Sequence, residues 1–322
     1  MKNLLFLLFV CLSLFCCFST VYAQGYSITK LDFTAMGINN KGQVVGSYST
    51  SSSVRACLWQ NNIITDLGTL PGRIGSHAYD INNQGQIVGD SYNSMLAPED
   101  IHACLWQNNI ITDLGTLDGN NITAYGINNK GQVVGSYFTR VGQQCAFMWQ
   151  NKIMTNNPKG TAVGASKIND MGQVIGFFCN QASLWKNNTA YSLGTLGGDN
   201  SSATGINNIG QIVGVAQTST GAYHACLWQN NIITDLGTLG GVSSKAWGIN
   251  YIGQIVGDSA TSTGELHAFL WKNNIMIDLN SLIPIASGWV LNYALRINDA
   301  GQIVGRGMYN GKQCSFLLTP IN

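Results

Sequence analysis

The sequence predicts an all-β fold: a single closed seven-bladed β-propeller of four-stranded blades, with an N-terminal strand completing the last blade. Three observations carry that prediction. A unit of about 43 residues recurs seven times after residue 24. Each unit holds four short β-prone runs separated by turn chemistry, the signature of a propeller blade. The last unit lacks its fourth run, and the start of the chain supplies one.

The repeat is anchored on Ile-Asn at Ile38, Ile81, Ile127, Ile168, Ile206, Ile249 and Ile297, with spacings of 43, 46, 41, 38, 43 and 48. The first run reads Ala-x-Gly-Ile-Asn and should line the central channel, where glycine lets backbones approach closely. The second run is Gly-Gln-Ile/Val-Val/Ile-Gly, as at residues 85–89, reached through Asn-rich turns in which Asn tolerates and Gly readily adopts positive φ. The third is His-Ala-Cys-Leu-Trp or a variant, and a two-residue loop such as Asn61-Asn62 joins it to the fourth. Such a loop suits a primed hairpin turn. The fourth run is Ile-Ile-Thr-Asp-Leu-Gly-Thr-Leu, as at residues 110–117, and leads through Gly-rich links into the next unit.

A β-solenoid is the rival architecture, but it has open ends. The seventh unit stops after its third run, and Tyr26 to Leu31 aligns with the missing fourth. Ile28 to Leu31 is therefore expected to pair with Phe316 to Thr319, which closes a ring and leaves no open stack end.

Lys2, the apolar run from Leu4 to Phe18, and Val21-Tyr22-Ala23 read as a secretory signal peptide over residues 1–23. The propeller then occupies residues 24–322, and no other segment approaches the ~18 apolar residues of a membrane span. The expected localisation is secreted, periplasmic or extracellular. The chain has 16 basic and 15 acidic residues, and Lys2 leaves with the signal. This balance argues against nucleic acid or an anionic membrane as partner.

Six of the nine cysteines lie beyond the signal. Cys57, Cys104 and Cys226 hold the same place in three units, where another unit has Phe269. Equivalent positions in successive blades lie beyond the ~7 Å reach of a disulfide. These three are expected to be buried free thiols acting as small hydrophobes. The pairing of Cys145, Cys179 and Cys314 is left open.

With Asp-Leu-Gly-Thr-Leu-Gly-Gly, Ile-Asn-Asn-x-Gly-Gln-Ile-Val-Gly and His267-Ala268-Phe269-Leu270-Trp271 in view, the chain resembles the HAF-repeat family of bacterial extracellular repeat proteins. Tyr26 to Leu31 looks like that family's opening, and the segment from Asp278 to Trp289 like its late insertion. The resemblance spans the mature chain and implies secretion and repetition, with no catalytic residues to carry over. The third and fourth units depart most: Asn156 replaces Asp, Pro158 follows, and Phe177-Phe178-Cys179 leaves almost no loop.

No catalytic residue, metal site or cofactor is expected. His102, His224 and His267 share a position that elsewhere holds Arg55, Cys145, Gln181 and Cys314, which suits packing or hydrogen bonding. Asp66, Asp113, Asp235 and Asp278 share a strand-end position suited to bonding nearby backbone. Asp118-Gly119-Asn120 is too short a match for a calcium loop, and no zinc-ligand spacing occurs.

The sharper signal is at the channel. The glycine of the first run is Gly37, Gly126, Gly205 and Gly248 in four units but Asp80, Lys167 and Arg296 in three. These three charges form a ligand site or neutralise one another. The position before them includes Tyr79, Tyr125 and Trp247, expected to pack between blades. The variable loops are expected to bring Tyr92, Asp100, Arg73, Arg140, Tyr223 and Trp289 together on one rim, with Trp289 as a partial lid over the channel. The ligand-binding candidates are therefore Asp80, Lys167, Arg296, Trp289, Tyr92 and Asp100. Together these readings describe a secreted, monomeric, non-catalytic scaffold for a glycan or protein. The alternative is a carbohydrate-active lyase or hydrolase on the same fold, which the scarcity of Glu disfavours.

Overall fold

The structure, a computed structural model, describes residues 25–93, 100–117, 119–156, 163–186 and 189–321. The expected signal peptide, Glu99, Asp118 and Pro158 lie outside the described residues. The chain forms seven four-stranded antiparallel sheets. Blade 1 comprises β2 (Thr34–Ile38), β3 (Val44–Ser49), β4 (Val54–Gln60) and β5 (Ile63–Asp66). Blades 2 to 6 cover residues 75–113, 119–156, 163–192, 197–235 and 240–278 in the same order. Blade 7 takes Trp289–Ile297, Ile303–Tyr309 and Lys312–Pro320, and its outer strand is β1 (Tyr26–Leu31). The inner strands touch in an unbroken circuit that ends with Trp289–Ile297 against β2. The solenoid is thereby excluded.

β1 closes the ring in nearly the predicted register. Ile28, Thr29 and Lys30 face Leu318, Leu317 and Phe316, with Ser27 opposite Thr319. Tyr26 and Leu31 are both buried, at opposite ends of β1. The Asn-Asn hairpins behave as expected, with φ of 51° and 63° at Asn61 and Asn62 and near-identical values at the equivalent pairs. In blade 4, Cys179 and Asn180 take the same left-handed pair of angles, so a two-residue turn replaces the usual loop.

Cys57, Cys104 and Cys226 are free and fully buried, and all other described cysteines are free as well. Each packs against the preceding blade: Cys57 lies with Val304 and Leu317, Cys104 with Val45, and Cys226 with Ile175. Phe147, Phe269 and Phe316 fill the same interface elsewhere. Burial pushes the Cys57 thiol up to about 12, so it stays protonated and apolar in behaviour.

Two features position the channel. The first is a β-bulge in every inner strand, between Ala35 and Gly37 in blade 1 and between the equivalent pairs in the others. A bulge opposes two residues to one and redirects side chains. It also presses the inner backbone onto the second strand. A Cβ on Gly89 would sit 1.8 Å from the His77 carbonyl, and one on Gly46 1.9 Å from that of Thr34. The final Gly of the second run is therefore sterically required.

The second feature is a ring of buried asparagines. Asn39, Asn82, Asn128, Asn169, Asn207, Asn250 and Asn298 each donate through Nδ2 to the backbone carbonyl of the equivalent Asn in the next blade, at 2.9–3.2 Å. Asn298 donates to Asn39, so the circuit closes on itself. The other amide hydrogen goes to a Gln in the same turn, such as Gln132 at 2.6 Å from Asn128. The side-chain oxygen of Asn128 accepts from the amides of Lys130 and Gln132. A buried Asn with all four bonds made is stabilising; one with its partners orphaned is costly.

A parallel circuit runs through the following residue. The backbone N–H of Asn40, Asn83, Asn129, Asp170, Tyr251 and Asp299 each donates to the side-chain oxygen of the next blade's residue. The link from Asn208 is missing because Tyr251 offers no oxygen there.

Replacing Asn128 by Ala should cost on the order of 3 kcal/mol, because several buried partners lose their bonds together. Tyr251→Asn should instead add about 0.5–1.5 kcal/mol by completing the second circuit. Denaturant unfolding of both variants checks the opposite signs.

Candidate functional site

The channel is capped at one end by the asparagine turns. The layer just inside them is the glycine position that precedes Ile-Asn. Space there is short: a Cβ on Gly126 would lie 3.1 Å from the Lys167 Cα, and one on Gly248 3.2 Å from the Arg296 Cα. The charged residues fit because each is flanked by glycine in both neighbouring blades. Asp80 stands between Gly37 and Gly126, Lys167 between Gly126 and Gly205, and Arg296 between Gly248 and Gly37.

The structure brings all three together around a cavity of about 180 Å³, with Trp247 and Thr204 also in its wall. Lys167 Nζ lies 2.9 Å from Asp80 Oδ2 and donates to the Tyr125 carbonyl at 3.1 Å. Asp80 also accepts from the amide of Ile127. Arg296 donates from Nη1 to the carbonyls of Trp247 (3.2 Å) and Leu295 (2.7 Å), while its buried Nε has no partner. Lys167 and Asp80 therefore neutralise each other, and Arg296 leaves the channel with one excess positive charge. Burial, with Arg296 nearby and against the pull of Asp80, lowers the Lys167 pKa to about 8.

A second cavity, of about 410 Å³, shares Trp247 and Arg296 with the first. Its remaining wall is Met36, Tyr293, Leu295, Arg306 and Gln313. It draws its wall from blades 6, 7 and 1, and a third hollow of about 480 Å³ continues past Arg306 and Gln313 along the seam between blades 7 and 1, toward Asp32 and Tyr48.

Arg306 was not singled out by the sequence reading, although the same kind of signal marks it. It follows the final Gly of the second run, where other blades hold Ser47, Asp90, Ser136, Phe177, Val215 and Asp258. Asp90 is buried and accepts from Tyr79 (3.1 Å) and Thr123 (3.3 Å), and it bonds His77 Nδ1 at 2.9 Å. Asp258 accepts from Trp247 Nε1, whose ring Lys245 covers at 3.8 Å. Tyr79 also tilts onto Tyr125, as expected for packing between blades. Arg306 differs from both aspartates, because its Nη2 reaches only the Met36 thioether.

Of the expected rim cluster, Arg73 and Asp100 come together on the surface, while Tyr92 and Trp289 turn into their own blades. Tyr92 is 5% exposed rather than a rim aromatic; it stacks on His77 at 5.2 Å because Gly75 beneath it leaves room for the ring. Asp100 is on the surface, bonded by Arg73 at 2.8 Å and by Asn93, with His102 Nε2 at 3.2 Å. The Arg73 bond holds its carboxyl below the usual range. Trp289 does not lie over the channel. It packs on Tyr309 and edge-on to Phe316 within its own blade, and Asn280 of the preceding insertion holds the neighbouring Leu291 through both backbone groups.

The two repeated polar positions read separately from sequence are partners in space. His102, His224 and His267 bond Asp113, Asp235 and Asp278 at 2.6–2.8 Å, and Arg55 bonds Asp66. The other oxygen of each Asp takes a backbone amide two residues on, as with Gly115 at 2.9 Å. These pairs fasten the third strand to the fourth. Among the described residues no group of three metal-binding side chains occurs, and no helix is long and apolar enough to cross a membrane.

No protein-family model and no curated protein matches this chain. Solved structures do share its fold. An acylaminoacyl peptidase bound to a chloromethyl ketone inhibitor superposes with a TM-score of 0.53 at 9% identity, over 86% of this chain and 50% of the peptidase. An extracellular domain from B. thetaiotaomicron gives 0.51 at 7% identity, over 93% of this chain and 40% of that one. The fucose-complexed lectin of Aleuria aurantia gives 0.40 at 13%, over 80% of this chain and all of the lectin. The chain thus spans half or less of the two structures it superposes on best of these three. At such identities the likeness is one of fold.

Lys167 gives the channel a pH signature. Its proton is held less tightly in the fold than in the unfolded chain, where the ordinary value is 10.5. Between pH 8 and 10.5 the unfolded state therefore binds more protons, and this group's contribution to stability rises with pH across that window. Below it the burial cost is constant. The stability of the native chain minus that of Lys167→Met should climb from pH 7.5 to pH 10, as followed by urea unfolding at each pH.

Proposed function

We propose that this chain is a secreted, non-catalytic binding propeller of the HAF-repeat kind, and that its ligand is a glycan seated in the cavity between Trp247, Tyr293, Arg296 and Arg306. The observation that carries the reading is that cavity. Its volume of about 410 Å³ falls in the range of small-molecule sites, and it joins aromatic faces to a few convergent polar groups. It also sits where the repeat breaks its own rules, at Arg296 and Arg306. A tryptophan and a tyrosine beside an amide such as Gln313 suit a sugar ring, which has apolar faces and a hydroxyl edge.

A hydrolase or lyase reading asks for two carboxylates at opposed positions about the bond to be cut, roughly 5–10 Å apart. Along the joined 180 and 410 Å³ cavities the one carboxylate is Asp80, and Lys167 and the Ile127 amide already occupy it. The site is built to hold rather than to cut.

A glycan array probed with residues 24–322 should yield a defined set of bound structures, and Trp247→Ala, probed at a temperature where circular dichroism shows it folded, should reduce them at least tenfold. Retention of every signal in Trp247→Ala would move the site elsewhere.

A further inference from the structure

Of the two arginines in this cavity, Arg306 is not accounted for by folding, and Arg296 is accounted for only in part. A buried guanidinium is ordinarily matched with a carboxylate or a set of carbonyls, because leaving it unmatched is expensive. Elsewhere this chain obeys that rule: Arg55 has Asp66, Arg73 has Asp100, and buried Lys167 has Asp80. Arg306 has no carboxylate partner among the described residues, and its one contact at Nη2, 3.1 Å from the Met36 sulfur, is with a weak acceptor. Its Nε is buried and unpaired. Arg296 satisfies Nη1 on two carbonyls and likewise leaves a buried Nε without a partner. Burial depresses the pKa of both, at Arg296 against the opposing pull of Asp80 and at Arg306 with no anion opposing it. Both guanidinium groups border the same cavity, whose wall contains no acidic side chain. Asp32 in the adjoining hollow is engaged by Lys30, Asp258 beside the cavity by Trp247, and Asp80 by Lys167.

Resting on the reading of this cavity as the binding site, we infer that its ligand carries a carboxylate on the sugar ring, as in a hexuronate, and that Arg306 together with Arg296 holds that group. The chemistry fits in each part. A guanidinium presents its N–H donors in one plane, which a carboxylate accepts in pairs. Tyr293 and Trp247, one face of which Lys245 covers, flank the arginines and can take the ring face, while the Gln313 amide can meet a hydroxyl. A bare inorganic anion would satisfy the arginines but leave the aromatic walls unused. A neutral sugar would use the walls but leave the half-buried Arg306 guanidinium without an anion. The ring-borne carboxylate does both.

The inference makes Arg306 a residue kept for the ligand, at a cost to the empty protein. That distinguishes it from a structural arginine. The test is isothermal titration and thermal shift on the mature chain with glucuronate, galacturonate and their short oligomers. Glucose, galactose and their matching oligomers serve as neutral controls, and sodium sulfate is used at equal ionic strength. Uronates should bind and raise the melting temperature, the neutral sugars should bind at least tenfold more weakly, and sulfate should give no shift beyond its effect on Arg306→Met. Empty Arg306→Met should melt at or above the native temperature while its uronate affinity falls at least tenfold. Equal binding of neutral and acidic sugars, with loss of both in Trp247→Ala, would overturn the acidic ligand and leave the cavity reading standing. Uronate binding that persists in Arg306→Met would overturn the role of Arg306. A melting temperature several degrees lower in empty Arg306→Met, with no uronate response in the native chain, would make Arg306 structural and end the inference. No response to any sugar, in titration or on the array, would overturn both readings.

Discussion

Each blade hands one side-chain amide hydrogen to the backbone of the next, at Asn39 and its six equivalents, and the last hands one back to the first. Everything else in this propeller is arranged around that circuit. The asparagines sit at the narrow end of the channel, nearly sealed from water, where an amide must find all of its partners inside the protein. The geometry that satisfies one of them fixes the distance and tilt between two blades. Repeated around the axis, it fixes the circumference. Hydrophobic packing between blades is less exacting, since the same interface accepts Cys57, Phe147 or Phe316. The polar ring supplies uniqueness and the apolar seams supply most of the burial energy.

Against so regular a frame, departures carry information. The bulge in each inner strand delivers two side chains to the axis, and in most blades one is glycine because the next backbone is too close for more. Charge enters only where both neighbours yield space. The channel charges are then sorted by their partners. Asp80 and Lys167 close on each other and on backbone groups, which makes them a filling for the axis. Arg296 and Arg306 remain turned to a hollow walled by blades 6, 7 and 1.

The fold was legible because repetition multiplied weak signals. A single Asn-Asn pair is an ordinary turn, but its recurrence at equivalent places marked strand ends throughout, and the short seventh unit disclosed the closure by β1. The channel triad was legible for the same reason, as a broken glycine rule. The rest is written in space and not along the chain. The asparagine ring was read as turn chemistry because a sequence does not show that the same amide spans two blades. The pairing of His102 with Asp113 was missed because residues on neighbouring strands were weighed one at a time. The rim cluster failed at Tyr92, where Gly75 on the adjacent strand opens a space that draws the ring inward. Arg306 could have been found by asking of the second run what was asked of the first. Trp289 was misplaced because its own blade, extended by the turns at Leu279–Leu282 and Ile285–Ser287, offers Tyr309 and Phe316 at closer range.

The sharing of blade 7 between the two ends of the chain has a bearing on how the molecule comes to be. β1 leads the propeller in chain order, yet its partner strand, Lys312–Pro320, is the last strand of the propeller to be made. During synthesis β1 must wait, unpaired, while six whole blades are laid down. Until the final repeat emerges, the growing arc presents two raw flanks, with the buried faces of blades 1 and 6 open to other chains. Assembly therefore ends in one late event that joins first to last, and a chain interrupted anywhere before Lys312 carries an orphan strand in search of a neighbour. The most vulnerable moment of this propeller is the one just before its last strand is made.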